Sequence, residues 1–189
     1  MKETRICIIG GGSRLWAIQF FKDLAYAKMT HGTVVLHDID HKAAVNNVSV
    51  GVQTFRVNES EGRFRFTCED NLEKALEGVD LVIISIEPGS IECRRGDLVL
   101  PEEYGILQSV GDTTGPGGIM RARRALPMFF SFAKAIEKVC PKAWVINYTN
   151  PMTLCTAALY KAFPGIKALG CCHEVFHTET FLAEKVAEW

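Results

Sequence analysis

Arg5–Ser13, RICIIGGGS, joins a short β-branched apolar run to three consecutive glycines and a serine. An apolar run without polar interruption is the pattern of a strand covered on both faces, as in a parallel sheet. Beyond the glycines, Leu15, Ile18, Phe21, Leu24 and Ala25 recur at helical spacing and predict a helix over 15–29. Thr33–Leu36 is a second apolar strand, ending on His37-Asp38-Ile39-Asp40. The result is a βαβ unit with an acid at the end of its second strand, and its mechanics suit a dinucleotide. Glycines let the backbone approach a pyrophosphate, the helix N-terminus faces the negative charge, and the acid accepts from a ribose hydroxyl. Gly10 and Gly12 fill the first two fingerprint positions, whereas Leu15 stands at the third and Asp38 lies further on than the usual spacing. A glycine-rich turn alone is often only a tight turn; its context here points to nucleotide binding.

The alternation continues outward from this unit. Residues 40–58 read as a helix, 63–68 as a strand, 72–76 as a short helix and 80–86 (DLVIISI) as a buried strand. The segment 87–118, rich in Pro and Gly, is expected to be a long ordered loop over the strand ends, because it also carries Leu98, Val99, Leu100, Tyr104, Ile106 and Leu107. A helix over 119–139 has Pro127 in its interior, which predicts a kink or altered geometry. Strand 143–148, helix 152–163 opened by Pro151, strand 167–171 and helix 175–188 complete the chain. The expected architecture is α/β: a doubly wound, mostly parallel, Rossmann-like sheet with helices on both faces.

The totals limit the function classes. The chain has 189 residues, enough to bury a sizeable core, and its 21 Lys+Arg against 22 Asp+Glu give no charge excess. Electrostatic binding to nucleic acid or an anionic membrane is therefore not expected, and a small-molecule partner is. No stretch approaches the roughly 18 to 20 apolar residues of a membrane helix, and the N-terminal apolar run is too short for a signal peptide. The seven cysteines are odd in number and several sit in apolar runs, which suits buried thiols in a reducing, cytoplasmic setting.

Polar groups gather at the predicted strand ends, where an open α/β sheet places its ligands. The sixth strand ends in KALGCCHE, residues 167–174. Cys172 and His173 are adjacent, so in an extended strand end their side chains point to opposite sides and do not grip one metal together. A single thiolate could be one ligand, with the others from distant residues or substrate oxygens. Spacing equally allows Cys172 to be a small buried hydrophobe, His173 to be a hydrogen-bonded structural residue, Arg94 and Arg95 to be solvated charges, and Asn150 to be a helix cap before Pro151.

GGGS after the first strand, DID after the second, GDTTGPGG in the long loop, NYTNP after the fifth and GCCHEVF after the sixth resemble the N-terminal half of glycoside hydrolase family 4. Within that family, SVGDTTGPGG, INYTNPM and GCCHEVFHTE are most similar to the α-galacturonidase group, with α-glucuronidases, α-galactosidases and α-glucosidases as neighbours. The resemblance implies NAD and a divalent metal, usually Mn²⁺. It implies Gly10, Gly12, Ser13 and Asp38 on NAD, Asn150 on substrate hydroxyls, Cys172 as one metal ligand and His173 as a proton-transfer group. Arg94 stands where phosphate-specific members carry a substrate-binding arginine, in a loop that differs from theirs.

The implied reaction departs from the two-carboxylate displacement of most glycosidases. Oxidation at C3 of the sugar acidifies the C2 proton, its loss expels the leaving group at C1, water adds, and the hydride returns. The resemblance also implies a second half that supplies a histidine ligand and the C2 base. The 189 residues are therefore expected to form the NAD-binding part of a longer enzyme, a homo-oligomer when full-length, and to bind NAD weakly and turn over no glycoside alone. An NAD-dependent sugar-acid or hydroxy-acid dehydrogenase, or a non-catalytic nucleotide-binding domain, would share the nucleotide features.

Overall fold

The computed structural model describes residues 3–27, 30–172 and 174–188. Six strands, β1 (Thr4–Ile9), β2 (Gly32–His37), β3 (Phe64–Cys68), β4 (Leu81–Ile84), β5 (Trp144–Asn147) and β6 (Lys167–Gly170), form one sheet in the order β3-β2-β1-β4-β5-β6. Every pairing is parallel. The helices are α1 (Trp16–Tyr26), α2 (His41–Val57), α3 (Leu72–Ala75), α4 (Ile91–Glu102), α5 (Gly115–Val139), α6 (Met152–Ala162) and α7 (Glu174–Ala187).

Alternate residues of β1 feed two separate cores. Ile6 and Ile8 pack with Phe20, Phe21, Phe55 and Phe66 on the side of α1 and α2. Cys7 and Ile9 pack with Phe129, Ile136 and Leu159 on the side of α5 and α6. This two-sided burial explains why the strand is apolar at every position from Ile6 to Ile9 rather than at alternate ones. On the first side, Phe66 is edge-on to Phe21 at 5.0 Å and to Phe55 at 5.2 Å. At full burial each such ring contributes about 1.5–3 kcal/mol by removal from water.

Crossover connections carry the chain outward from β1 to β3, and then from β4 to β6 in the opposite direction. The reversal between β1 and β4 leaves a crevice beyond their C-terminal ends, because the segments leaving the two strands diverge to opposite faces.

The doubly wound expectation holds, with two corrections in the long connection. The segment expected as a loop contains α4, with Ser90 as its N-cap: the Ser90 hydroxyl accepts from the Cys93 N–H at 3.3 Å. Its buried residues are Asp97 and Pro101, so it lacks the apolar stripe by which a helix announces itself in sequence. α5 starts at Gly115, inside the glycine-rich stretch, and continues through Pro127. The final helix α7 has no buried residue, and Phe176, Phe181 and Leu182 stand exposed on it. No helix among the described residues is long and apolar enough to cross a membrane.

Candidate functional site

The crevice is a cleft of about 1020 Å³. Gly10, Gly12, Ser13 and Asp38 line one part, and Glu87, Arg94, Asp112, Arg121 and Asn150 line another. Gly10 has φ +94°, and a Cβ there would lie 1.9 Å from the Ser85 carbonyl oxygen of the neighbouring strand end. No L-residue with a side chain fits, so this glycine is set by contact between β1 and β4 as well as by the turn. At Gly12 a Cβ would meet the Asp38 carboxylate at 2.9 Å.

Asp38 joins the two halves of the βαβ unit. Its Oδ2 accepts from the Gly12 N–H at 2.8 Å and its Oδ1 from the Asp40 N–H at 2.9 Å. Each carboxylate oxygen keeps a second lone pair, so the group can accept from two further hydroxyls while holding the turn. The Ser13 hydroxyl accepts from the Trp16 N–H at 3.1 Å, at the entrance to α1. Leu15, at the third fingerprint position, precedes α1 and is 79 % exposed, whereas Ala17 is fully buried in the core that includes Ile6 and Ile8 of β1.

Asn47 is a support that motif reading passes over. Its side-chain amide donates to the carbonyls of Gly11 at 2.8 Å and Ser13 at 2.9 Å, bracing the glycine turn from α2. The available signal is a polar residue on the buried face that Ala44, Gly51 and Phe55 define.

At the other part of the cleft, Asn150 donates through its side-chain amide to Asp112 Oδ2 at 3.0 Å, and its carbonyl accepts from Arg121 Nε at 3.0 Å. Arg121, almost fully buried, also forms a two-point ion pair with Glu87. Arg94 approaches the same Glu87 carboxylate at 3.9 Å, an ion pair too long for a hydrogen bond. One turn along α5, Arg124 grips Asp97 of α4 with two N–H groups and donates from Nε to the Pro88 carbonyl at 2.9 Å. Hydrogen bonding to the Asp97 carboxylate holds the Arg124 guanidinium above its ordinary pKa. Arg121 and Arg124 fasten the 87–118 segment to α5. The RARR run at 121–124 was their visible trace in sequence.

Behind Asn150, the Asn147 amide and Thr149 bond to each other, and Thr149 Oγ1 accepts from the Ile86 N–H at 3.0 Å. Tyr148 packs against Phe20 at 5.0 Å and Trp16 at 5.7 Å. Burial, followed by the neighbouring Cys171 thiol, pushes its phenol above the ordinary range.

Gly10, Gly12, Ser13, Asp38, Arg94 and Asn150 thus meet in one cleft. Cys172 does not: it follows β6 at the sheet edge, half-buried, outside the residues that line the cleft. His173 lies outside the described residues. Among the described residues no three His, Cys, Asp or Glu side chains converge as a metal cage.

Comparison with known proteins agrees with this geometry. The family model described as family 4 glycosyl hydrolase matches residues 5–188. An α-galacturonidase of Bacillus subtilis is 50% identical over 188 residues, covering 100% of this chain and 41% of the relative. The crystal structure of a protein described as a glucosidase, lplD, from Bacillus subtilis superimposes with a TM-score of 0.91 at 51% identity, over 100% of this chain and 42% of that one. The 6-phospho-β-glucosidase of Thermotoga maritima, solved with manganese, NAD⁺ and glucose-6-phosphate, gives a TM-score of 0.81 at 26% identity, over 98% of this chain and 43% of that one. The chain spans about two fifths of the length of the curated relatives it matches. With the match running through both the glycine turn and the Asn150 loop, the chain belongs to glycosyl hydrolase family 4.

Proposed function

We propose that residues 1–189 are the NAD-binding part of a cytoplasmic, homo-oligomeric glycosidase that hydrolyses α-linked uronides, with α-galacturonides as preferred substrates. One observation supports the reading: the glycine turn with Asp38 and the Asn150 loop share one cleft, in a chain 50% identical to an α-galacturonidase.

The residues present fit NAD. Gly10 and Gly12 line the cleft with backbone and no side chain, and Asp38 has acceptor capacity left for ribose hydroxyls. NAD supplies a hydride acceptor for transient oxidation at C3 of the sugar, returned after elimination and water addition. This chain's own residues bind and orient. Gly10, Gly12 and Ser13 admit the pyrophosphate, Asp38 holds the ribose, and Asn150 offers its amide to sugar hydroxyls. Arg94, loosely paired with Glu87, offers a cation to the uronate carboxylate. His173 is the proton-transfer group in this reading. A divalent metal, Mn²⁺ by family resemblance, would take Cys172 as one ligand. The described residues do not complete its cage, so the roles assigned here do not depend on it.

The test is to express the full reading frame that carries this chain and assay it with NAD, Mn²⁺ and a panel of α-galacturonides, α-glucuronides and neutral α-galactosides. Redox-neutral release of free galacturonate, with solvent deuterium appearing at C2, is expected. Stoichiometric NADH accumulation from a free sugar acid would instead identify a dehydrogenase. Cys172→Ser is expected to weaken Mn²⁺ binding, read directly by metal titration.

A further inference from the structure

The ends of β4 and β5 are already tied without Arg121. Tyr148 N–H donates to the Ile84 carbonyl at 2.9 Å, and Ile86 N–H to the Thr149 hydroxyl at 3.0 Å. The bonds from Arg121 fall one residue further along each segment, on Glu87 and Asn150, where the chain reaches the cleft. The Arg121 side chain is only 6% exposed, so its charge is largely withdrawn from water and needs the Glu87 carboxylate as counter-ion. One planar fork therefore holds two loops that leave different strands. Asn150 then carries the restraint onward, because its amide donates to Asp112 Oδ2 at 3.0 Å, and Asp112 Oδ1 accepts from the Thr113 hydroxyl at 2.8 Å.

We propose that Arg121 is a positioning residue for the sugar end of the cleft: it fixes Asn150 and Glu87, and through Asn150 it fixes Asp112, in the geometry that receives the glycoside. This rests on the glycosidase reading above. The hydrogen bonds of Arg121 go to Asn150 and Glu87 and not to the glycine turn or Asp38, so its loss should separate sugar handling from nucleotide binding. Lysine is no substitute. A point charge on a flexible stem reaches Glu87 or the Asn150 carbonyl, whereas the guanidinium reaches both in fixed directions.

Three variants test it. In Arg121→Ala, expressed from the full reading frame, kcat/KM for the galacturonide is expected to fall about 100-fold, as a misplacement near 1 Å does. The fall should come with a raised KM, while the NADH dissociation constant stays within about twofold. Guanidinium ion at millimolar concentration should restore part of the activity, because Arg121 lines the cleft and its removal opens a site for it; urea should not. Arg121→Lys should retain thermal stability yet keep the raised KM. Finally, a crystal structure of Arg121→Met should show Asn150 Nδ2 and Asp112 Oδ2 separated beyond about 3.5 Å, outside hydrogen-bond range.

NADH affinity lost in step with turnover, absence of guanidinium rescue, or an Asn150–Asp112 bond unchanged in Arg121→Met would each overturn the proposal. A wild-type enzyme that cleaves no glycoside defeats the glycosidase reading instead, and the Asn150–Asp112 separation still decides Arg121.

Discussion

Asp38 and Gly12, from the ends of β2 and β1, are joined by a 2.8 Å hydrogen bond in which the glycine N–H donates to the carboxylate. The acid holds the turn, and in the proposed NAD site it also faces a ribose. Asp38→Ala is expected to weaken NADH binding about 10- to 100-fold, the worth of a hydrogen bond to a charged acceptor. NADPH, whose 2′-phosphate Asp38 repels, should lose less. Fluorescence titration with both nucleotides checks the ordering, and equal losses for the two would remove Asp38 from the ribose.

Gly10→Ala should destabilise the fold even without ligand. The positive φ alone costs more than about 1 kcal/mol for alanine, and the Ser85 carbonyl stands where the methyl must go. At this chain length each kcal/mol lowers Tm by about 2–4 °C, so a drop of several degrees is the expected calorimetric result.

Asp97 and Arg124 test what anchors α4, a helix whose buried face is ionic. Asp97 is 8% exposed and the Arg124 side chain 25%, so the pair is only partly screened. Asp97→Ala leaves the guanidinium without its carboxylate and should cost about 2–3 kcal/mol, discounted from the 3–5 of a fully buried pair. A double-mutant cycle with Arg124→Met should recover a coupling of at least about 1 kcal/mol. Additive effects would mean that α4 is held by something else.

The thiols should sort by environment. Burial pushes Cys7 and Cys155 up to about 12 and Cys140 up to about 11, whereas the Ser90 hydroxyl holds the exposed Cys93 below its ordinary value. Brief alkylation near pH 8, followed by peptide mass spectrometry, should modify Cys93 well before Cys7, Cys140 or Cys155. The same shifts fix a sign. Above pH 9 the unfolded chain ionises these three thiols while the fold keeps them protonated, so stability declines from pH 9 toward 12. Urea midpoints measured across that range should fall, and replacing Cys7 with Ala should flatten the decline.

The local sequence determined the alternation of strands and helices, the glycine turn, and the place of Asp38 and Asn150 at strand ends. Each is a short-range signal: continuous apolar runs buried on both faces, helical periodicity, and backbone conformations that few residues tolerate. Tertiary structure alone decided what those residues meet. Gly10 is enforced by Ser85, 75 positions away in sequence, and the turn is braced by Asn47 from another helix. α4 was illegible because its anchor is the Asp97–Arg124 pair, and ion pairing across distant segments leaves no hydrophobic period to read. The joining of Arg121, Glu87, Asn150 and Asp112 follows likewise from the reversal of winding between β1 and β4, which brings loops from different strands to one crevice. Periodicity records which face of an element is buried; only packing decides its partner.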